Sequence, residues 1–161
     1  MRIEIYSDGG CSPNPGIGGF AFIVRLVDGK KSAAAGLANF EECTTNNRME
    51  LTGIIEAFKS IRKIGDSIKD AEIIVTSDSS YCIRPFTEGW IFKWKMNDFY
   101  KHGEAIPNRE LWVELDELIK GLNIRWNWVK GHNGHYYNEI CDTYAVKSYK
   151  TKKPYTLKFE Q

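Results

Sequence analysis

The most restrictive feature of the sequence is an apolar strand pattern that ends in an acid and runs into a glycine- and proline-rich stretch. Ile3 and Ile5 alternate with polar residues, which is the period of a strand with one buried face, and Asp8 follows this pattern. Residues 9–19 then turn the chain into a second apolar strand that starts at Phe20. Asp8 could help to hold a metal ion, or it could simply open a hairpin turn. The stretch alone leaves both interpretations open.

Composition restricts the class of protein. The chain has 161 residues, of which 42% are hydrophobic and 27% charged, and this balance predicts one globular domain. The formal net charge of +1 means that any nucleic-acid binding must come from local patches. No window approaches the roughly 20 apolar residues of a membrane span, and no apolar leader precedes the first strand. We therefore expect a soluble, cytoplasmic protein that does not bind membranes.

The cysteines do not suggest disulfides or a zinc site. Cys11, Cys43, Cys82 and Cys141 show no Cys-x-x-Cys spacing and have no histidines at zinc-site intervals. We expect reduced thiols, which agrees with a cytoplasmic location.

Hydrophobic periodicity predicts an α/β fold. Apolar runs at residues 20–26 and 32–38 flank a turn signal, so three antiparallel strands open the chain. A helix pattern follows and ends near Gly65, and residues 72–78 read as a strand buried on both faces. Helices, a strand at residues 124–129 and a last helix complete the pattern. We expect a five-stranded mixed sheet, three antiparallel strands and then two parallel ones, flanked by helices.

Acidic residues recur where this fold would place a site. Asp8 and Asp78 are predicted at the ends of central strands, while Glu50 and Asp142 fall in the first turns of helices that can pack over them. Carboxylates this close would repel one another unless cations lay between them, and oxygen ligands suit Mg²⁺ or Mn²⁺ better than zinc. Taken alone, Glu50 could equally form a capping box with Asn47.

Five motifs occur in the order and spacing of one known family. They are Tyr-Ser-Asp-Gly-Gly with Asn-Pro-Gly-x-Gly-Gly at the N-terminus, Thr-Thr-Asn-Asn-Arg-Met-Glu-Leu around Glu50, Thr-Ser-Asp-Ser-x-Tyr around Asp78, Trp-Val-Lys-Gly-His-x-Gly-His up to His135, and Asn-Glu-x-Cys-Asp up to Asp142. From Ile3 to about Ser148 the chain resembles type 1 ribonuclease H.

The resemblance implies a ribonuclease H-like fold and a reaction. The family cleaves the RNA strand of RNA–DNA hybrids and leaves 5′-phosphate and 3′-hydroxyl ends. Asp8, Glu50, Asp78 and Asp142 match the acids that bind two Mg²⁺ ions, for which Mn²⁺ can substitute. His132 matches a loop histidine that assists proton transfer or product departure, although it could be only an exposed loop residue.

The resemblance also divides the chain and suggests its partner. Residues 1–149 would be the catalytic domain and residues 150–161 a C-terminal tail. The partner would be an RNA–DNA hybrid, bound by a monomer. Two other classes remain as alternatives: a hybrid-binding module of this fold without strong catalysis, and a related DNA-processing nuclease.

Candidate hybrid contacts follow the same matches. Asn14, Asn46 and Asn47 match positions near the minor groove, where an amide can sense a 2′-hydroxyl. Tyr81 and Trp90 would lie beside the DNA strand. Core packing is the alternative for Trp90, and it is the interpretation that we prefer for Trp94.

The chain departs from the family at the DNA-phosphate contact. Cys43 stands where many members carry an arginine, which would leave Thr45 and Lys93 to hold the phosphate. Ser80 replaces an amide that often lies two positions after the third acid, and the segment between Asp78 and Trp90 is one residue longer than usual. These differences bear on affinity and not on the reaction.

Overall fold

The fold is built on a mixed sheet that separates two helical layers. The structure is a computed structural model and describes residues 1–131 and 135–159. The described strands are β1 (Arg2–Cys11), β2 (Gly16–Asp28), β3 (Lys31–Thr44), β4 (Glu72–Ser77), β5 (Tyr100–Lys101), β6 (Glu104–Ala105), β7 (Asn123–Trp128) and β8 (Tyr155–Lys158). Six of them form the main sheet in the order β7-β4-β1-β2-β3-β8, and β5 and β6 pair as a small hairpin.

The strand directions agree with the prediction, but the strand count does not. Strands β1, β2 and β3 pair antiparallel, and β4 and β7 add in parallel on the other side of β1. The predicted five-stranded sheet is wrong because the main sheet of the described chain has six strands. The sixth, β8, pairs antiparallel with residues 35–38 of β3. Tyr155 and Leu157 of this short strand point toward the sheet's second core and supply the apolar contacts that keep it in place.

Five helices flank the sheet in the described chain. They are α1 (Asn46–Arg62), α2 (Ser80–Thr87), α3 (Trp90–Met96), α4 (Arg109–Ile119) and α5 (Tyr136–Thr151), and Asp66–Asp70 forms a short 3-10 turn. The N-cap of α1 is Thr45, whose Oγ1 accepts a hydrogen bond from the Arg48 backbone N–H at 3.2 Å. The alternative capping box of Asn47 and Glu50 is therefore wrong, because the N-cap is two residues earlier, at Thr45.

The two faces of the sheet carry cores of different size. The face toward α1 packs large side chains, including Phe58 and Trp112, and Trp94 packs against this core as predicted. The face toward α5 is built mostly from small side chains: Ala21, Ile23, Ala38, Cys141, Ala145 and Leu157. Among the described helices, α5 alone packs on this second face, mainly over β1, β2 and β3.

A glycine on each face lets a helix come close to the sheet. A Cβ on Gly9 would collide with the backbone of Met49 and Glu50 in α1. A Cβ on Gly19 would collide with the backbone carbonyl of Ala145 in α5. Close approach of both helices therefore depends on the absence of side chains at these two positions.

Two further expectations concern the environment of the protein. All four cysteines are free thiols, as the sequence predicts. Within residues 1–131 and 135–159, no helix is long and apolar enough to span a membrane.

Candidate active site

Asp8 lies on the central strand of the sheet. Strand β1 continues beyond it to Cys11, with Asp8 opposite Ala21 of β2, so the prediction that the strand ends at Asp8 is wrong. The parallel pairing of β1 with β4, however, stops at Tyr6. Asp8 is therefore just beyond the parallel part of the sheet, and its side chain is only 9% exposed.

Asp78 follows the neighbouring parallel strand, β4, as predicted. Hydrogen bonds fix the backbone on both sides of it. The indole Nε1–H of Trp128 donates to the Asp78 carbonyl at 2.9 Å, and the Val129 N–H donates to the Ser77 carbonyl at 3.0 Å. Ser79 then caps α2 by accepting from the Cys82 N–H at 3.2 Å. The carboxyl end of β4 thus holds Asp78 beside Asp8.

Glu50 and Asp142 reach the same place from opposite faces of the sheet. Glu50 lies in the first turns of α1, and its Oε2 is buried without a hydrogen-bond partner in the described part of the chain. Asp142 lies in the second turn of α5, which begins at Tyr136. Its carboxylate is close enough to Asp8 to raise the pKa of Asp8.

The acids are close enough to change one another's protonation. Asp8, Glu50 and Asp78 each offer a carboxylate oxygen, and these oxygens lie within 4.8 Å of one another. Burial, followed by the charge of Asp78, raises the pKa of Asp8 to about 8. Burial and the charges of Asp8 and Asp78 raise the pKa of Glu50 well above its ordinary value. Without a cation, the cluster therefore tends to keep protons that isolated carboxyls would release at neutral pH.

This donor set fits a hard divalent cation. All the clustered ligand atoms are carboxylate oxygens, and the orphaned Oε2 of Glu50 lacks the partner that a buried carboxylate oxygen needs. A bound cation would supply that partner and would compensate the mutual repulsion of the acids. Carboxylate oxygen ligands are typical of Mg²⁺ and Mn²⁺ sites.

The acidic cleft, as we call the depression around these acids, contains residues that the sequence analysis did not single out. It is lined by Asp8, Asp78, Val129, Lys130, Gly131, His135, Asn138, Glu139 and Asp142. The signal for Lys130, His135, Asn138 and Glu139 was available, because the two C-terminal motifs contain them. Asn138 donates from Nδ2 to the Thr76 carbonyl at 3.4 Å, which ties the first turns of α5 to β4. The predicted site residue His132 lies outside the described residues.

The candidate minor-groove amides gather near the start of α1. The backbone N–H of Asn46 donates to the Oδ1 of Asn14 at 3.1 Å, so the loop between β1 and β2 is joined to the helix. The side chains of Asn46 and Asn47 are exposed. Cys43 is an exposed thiol near the end of β3, and the Thr45 hydroxyl is engaged as the helix cap.

The other candidate contacts lie on and near α3. The Tyr81 hydroxyl accepts hydrogen bonds from Asn108 Nδ2 at 2.9 Å and from Trp112 Nε1 at 3.2 Å, so it is engaged within the protein. Trp90 is 40% exposed, which is inconsistent with core packing. Trp90 and the exposed Lys93 line one open groove of about 510 Å³, together with Trp94, Asn97, Tyr100 and Lys101.

Sequence comparisons identify one family. The sequence model of the RNase H family matches residues 1–150. Ribonuclease H of Thermoanaerobacter sp. is 42% identical over 149 residues, which are 92% of this chain and 90% of the relative. Ribonuclease H of Geotalea uraniireducens is 42% identical over 160 residues, which are 96% of this chain and all of the relative.

Solved structures share the fold. LC9-RNase H1, described as a type 1 RNase H with the type 2 active-site motif, superposes with a TM-score of 0.84 at 27% identity, covering 98% of this chain and 77% of that one. LC11-RNase H1 in complex with an RNA/DNA hybrid has a TM-score of 0.67 at 20% identity, covering 94% of this chain and 99% of that one. At this lower identity the second match supports the fold alone.

Proposed function

The chain belongs to the ribonuclease H family, and from this we propose that its acidic cleft hydrolyses the RNA strand of RNA–DNA hybrids. The products would carry 5′-phosphate and 3′-hydroxyl ends. The reaction depends on divalent metal ions, as in the rest of the family, and we propose Mg²⁺ as the working ion and Mn²⁺ as a substitute.

One observation carries the proposal. Asp8, Glu50 and Asp78 offer carboxylate oxygens within 4.8 Å of one another at the carboxyl end of the parallel strands. Such a cluster is unfavourable in a folded protein unless cations occupy it, since burial and like charges raise the pKa of Asp8 to about 8. The charges that raise the pKa values of Asp8 and Glu50 are those of neighbouring acids.

We propose the following division of labour among the acids. Asp8 and Asp78 would hold one ion, and Asp8, Glu50 and Asp142 the other. When bound, two such ions polarise the scissile phosphate and favour ionisation of the attacking water. Trp128 and Asn138 support these acids, because their hydrogen bonds to the carbonyls of Asp78 and Thr76 position the backbone. His132 would move the proton that leaves or enters during the reaction.

Recognition of the hybrid is proposed for two surfaces. Asn14, Asn46 and Asn47 would contact the 2′-hydroxyl side of the minor groove, since an amide can donate and accept together. Tyr81, Trp90 and Lys93 would face the DNA strand, with Thr45 and Cys43 at a DNA phosphate. The exposed ring of Trp90, with the Arg84 guanidinium 4.9 Å from its centroid, supports such a contact. The engaged hydroxyl of Tyr81 leaves only its ring available for this task.

The remaining expectations are proposals about the whole molecule. We propose residues 1–149 as the catalytic unit and residues 150–161 as an accessory tail. We further propose that the protein works as a monomer in the cytoplasm, where free thiols such as its four cysteines persist.

A strand-specific cleavage assay tests the function. RNA–DNA, RNA–RNA and DNA–DNA duplexes of one sequence, each labelled on one strand at a time, are incubated with the protein and Mg²⁺. We expect cleavage of the RNA strand of the hybrid alone, complete loss of cleavage in excess EDTA, and recovery when Mg²⁺ is restored. End-group analysis should find 5′-phosphates on the products.

The same assay separates the alternatives. Binding of the hybrid without cleavage, with any divalent ion, would instead support a non-catalytic binding module. Cleavage of DNA–DNA duplex would support a DNA-processing nuclease of the same fold.

A further inference from the structure

A second groove lies between α5 and the C-terminal strand, on the flank of the helix away from the acids. We call it the tail groove; it has a volume of about 520 Å³ and is lined by Tyr136, Ile140, Tyr144, Thr156, Leu157, Lys158 and Phe159. Tyr136, at its start, is 64% exposed. The groove therefore presents aromatic rings and aliphatic side chains to solvent.

The segment that forms most of the tail groove is rich in lysine. Residues 143–159 contain five lysines and neither aspartate nor glutamate. Lys147 is held with its Nζ 4.8 Å from the ring centroid of Tyr155 and 5.5 Å from that of Tyr144. Lys152 is paired with Glu42 at 3.6 Å. Aromatic rings interleaved with lysines are the arrangement that binds single-stranded nucleic acid, because bases stack on the rings and phosphates pair with the ammonium groups.

The tail groove begins next to the acidic cleft, because adjacent residues line the two: His135 the cleft and Tyr136 the groove. Helix α5 carries both: Asn138 and Asp142 lie on one flank of its buried stripe, and Tyr136, Ile140 and Tyr144 lie on the other. Tyr136 directly follows His135, which lines the cleft. A strand that leaves the cleft around the first turn of α5 therefore meets Tyr136 next.

We propose that the tail groove binds a single-stranded extension of the RNA strand whose hybrid portion occupies the acidic cleft. This inference rests on the proposed function, because the RNA strand is chosen as the one that the acids would cleave. A second copy of this chain is a poor occupant, since two lysine-rich surfaces would repel each other. The favoured substrate is then a hybrid that ends in a junction with unpaired RNA.

The test compares hybrids that differ only in their extensions. One substrate is blunt, two carry about eight unpaired ribonucleotides at the 5′ or 3′ end of the RNA, and two carry the same extensions on the DNA strand. We expect one RNA-extended hybrid to have a KM about tenfold lower than the blunt one, and no gain from the DNA extensions. The double variant Tyr136→Ala/Lys158→Glu should bring the ratio of KM values close to one.

Two controls separate the groove from general charge and from folding. Lys30→Glu removes an exposed lysine from the turn between β2 and β3 and should keep the full ratio. Tyr136→Phe preserves the ring and should also keep it, whereas a purely structural effect of the double variant would lower its thermal midpoint. Fluorescence anisotropy with a labelled single-stranded RNA of about eight nucleotides, in EDTA, measures groove binding without cleavage.

The outcomes are decisive in each arm. Equal KM values for all five substrates would mean that the tail groove does not bind unpaired RNA and would overturn the proposal in favour of a protein partner. An equal gain from DNA extensions, or a gain that survives in the double variant, would overturn it as well. If the blunt hybrid is not cleaved at all, the proposed function fails, while the anisotropy assay still decides whether the groove binds RNA.

Discussion

The two faces of the sheet hold the acidic cleft in different ways. On one face, α1 is packed into a core of large side chains that also includes α2 and α4. On the other, α5 is the described helix that packs over a smaller buried core, in which Leu157 of β8 is the buried contact from the tail. Glu50 is thus on a helix that packs against the larger core, and Asp142 is on a helix that packs against the smaller one.

The difference matters because the proposed catalysis depends on the distance between Glu50 on α1 and Asp142 on α5. Large buried side chains contribute more to stability than small ones, so the position of α1 is more strongly determined than that of α5. Asn138 partly compensates by tying α5 to the Thr76 carbonyl. We therefore expect changes on the α1 face to reduce stability and changes on the α5 face to reduce activity first.

The largest effect should come from Asp8, on the strand that both faces share. Asp8→Asn keeps the shape of the side chain but removes the charge that two cations would share, so turnover of the hybrid should fall by about a thousandfold or more. Because the variant also removes a buried charge, its metal-free thermal midpoint should rise at pH 8. Asp28→Asn, an exposed acid at the end of β2, is the matched control. More than about a tenth of wild-type turnover in Asp8→Asn would contradict the site.

A matched pair of cavity variants measures the two cores. Phe58 is fully buried on the α1 face and Leu157 is 4% exposed on the α5 face. Phe58→Ala should lower the free energy of unfolding by about 3–5 kcal/mol, and Leu157→Ala by about 2 kcal/mol. Urea unfolding at constant ionic strength gives both values. An equal or larger loss for Leu157→Ala would mean that the α5 face is not the weaker one.

A second pair probes the close approaches. Gly9→Ala would press on the backbone at Glu50, and Gly19→Ala on the carbonyl of Ala145. Since α1 yields little, Gly9→Ala should cost about 1–3 kcal/mol of unfolding free energy by overpacking. Because α5 packs on the smaller core, we expect it to move more easily than α1. Gly19→Ala should therefore lose less stability than Gly9→Ala but should displace Asp142, which lowers kcat by up to about a hundredfold. The free energy of unfolding and kcat are measured for both variants. The contrast is contradicted if Gly9→Ala and Gly19→Ala show the same ratio of stability loss to kcat loss.

The last test follows the protonation of Asp8 on the shared strand, whose effect on stability is spread gradually over several pH units. Burial raises the pKa of Asp8 from 3.8 to about 8, so the folded chain holds a proton that the unfolded chain releases near pH 4. The contribution of Asp8 to the free energy of unfolding of the metal-free protein is therefore fully present below pH 4 and falls as pH rises toward 8, by at most about 1.4 kcal/mol per pH unit. Glu50, whose pKa is also raised, acts in the same direction.

Chemical denaturation at a series of pH values in EDTA measures this slope. Asp8→Asn should flatten it, while saturating Mg²⁺ should reduce or reverse it, because ions bind the deprotonated acids. A metal-free stability that rises between pH 5 and 8 would contradict the burial of these carboxyls.

The sequence predicted most of what lies along the motifs. Asp8 and Asp78 were predicted at the ends of central strands because apolar runs precede both, and turn signals predicted the antiparallel strands. Periodicity placed Glu50 and Asp142 in the first turns of helices, and the resemblance to ribonuclease H assigned them to the same site. The free thiols and the packing of Trp94 were predicted as well.

What the sequence did not reveal depends on contacts between distant segments. Strand β8 has only four residues and is stabilised by pairing with β3, so its own pattern was too short to recognise. The engagement of the Tyr81 hydroxyl depends on Asn108, an αL residue whose Oδ1 also accepts from Arg48 at 3.1 Å. Local periodicity does not predict a contact of this kind between distant segments. The N-cap at Thr45 was missed because Asn47 offered an equally plausible cap by spacing alone.

Strand β8 also has a consequence for solubility. It covers the backbone of β3 at Ala35, Gly36, Leu37 and Ala38. These residues have no charged side chains, so an uncovered edge here would be free to pair with another chain. By occupying these backbone groups, β8 acts as a guard against edge-to-edge aggregation. The tail therefore protects the fold in concentrated solution, whatever it contributes to substrate binding.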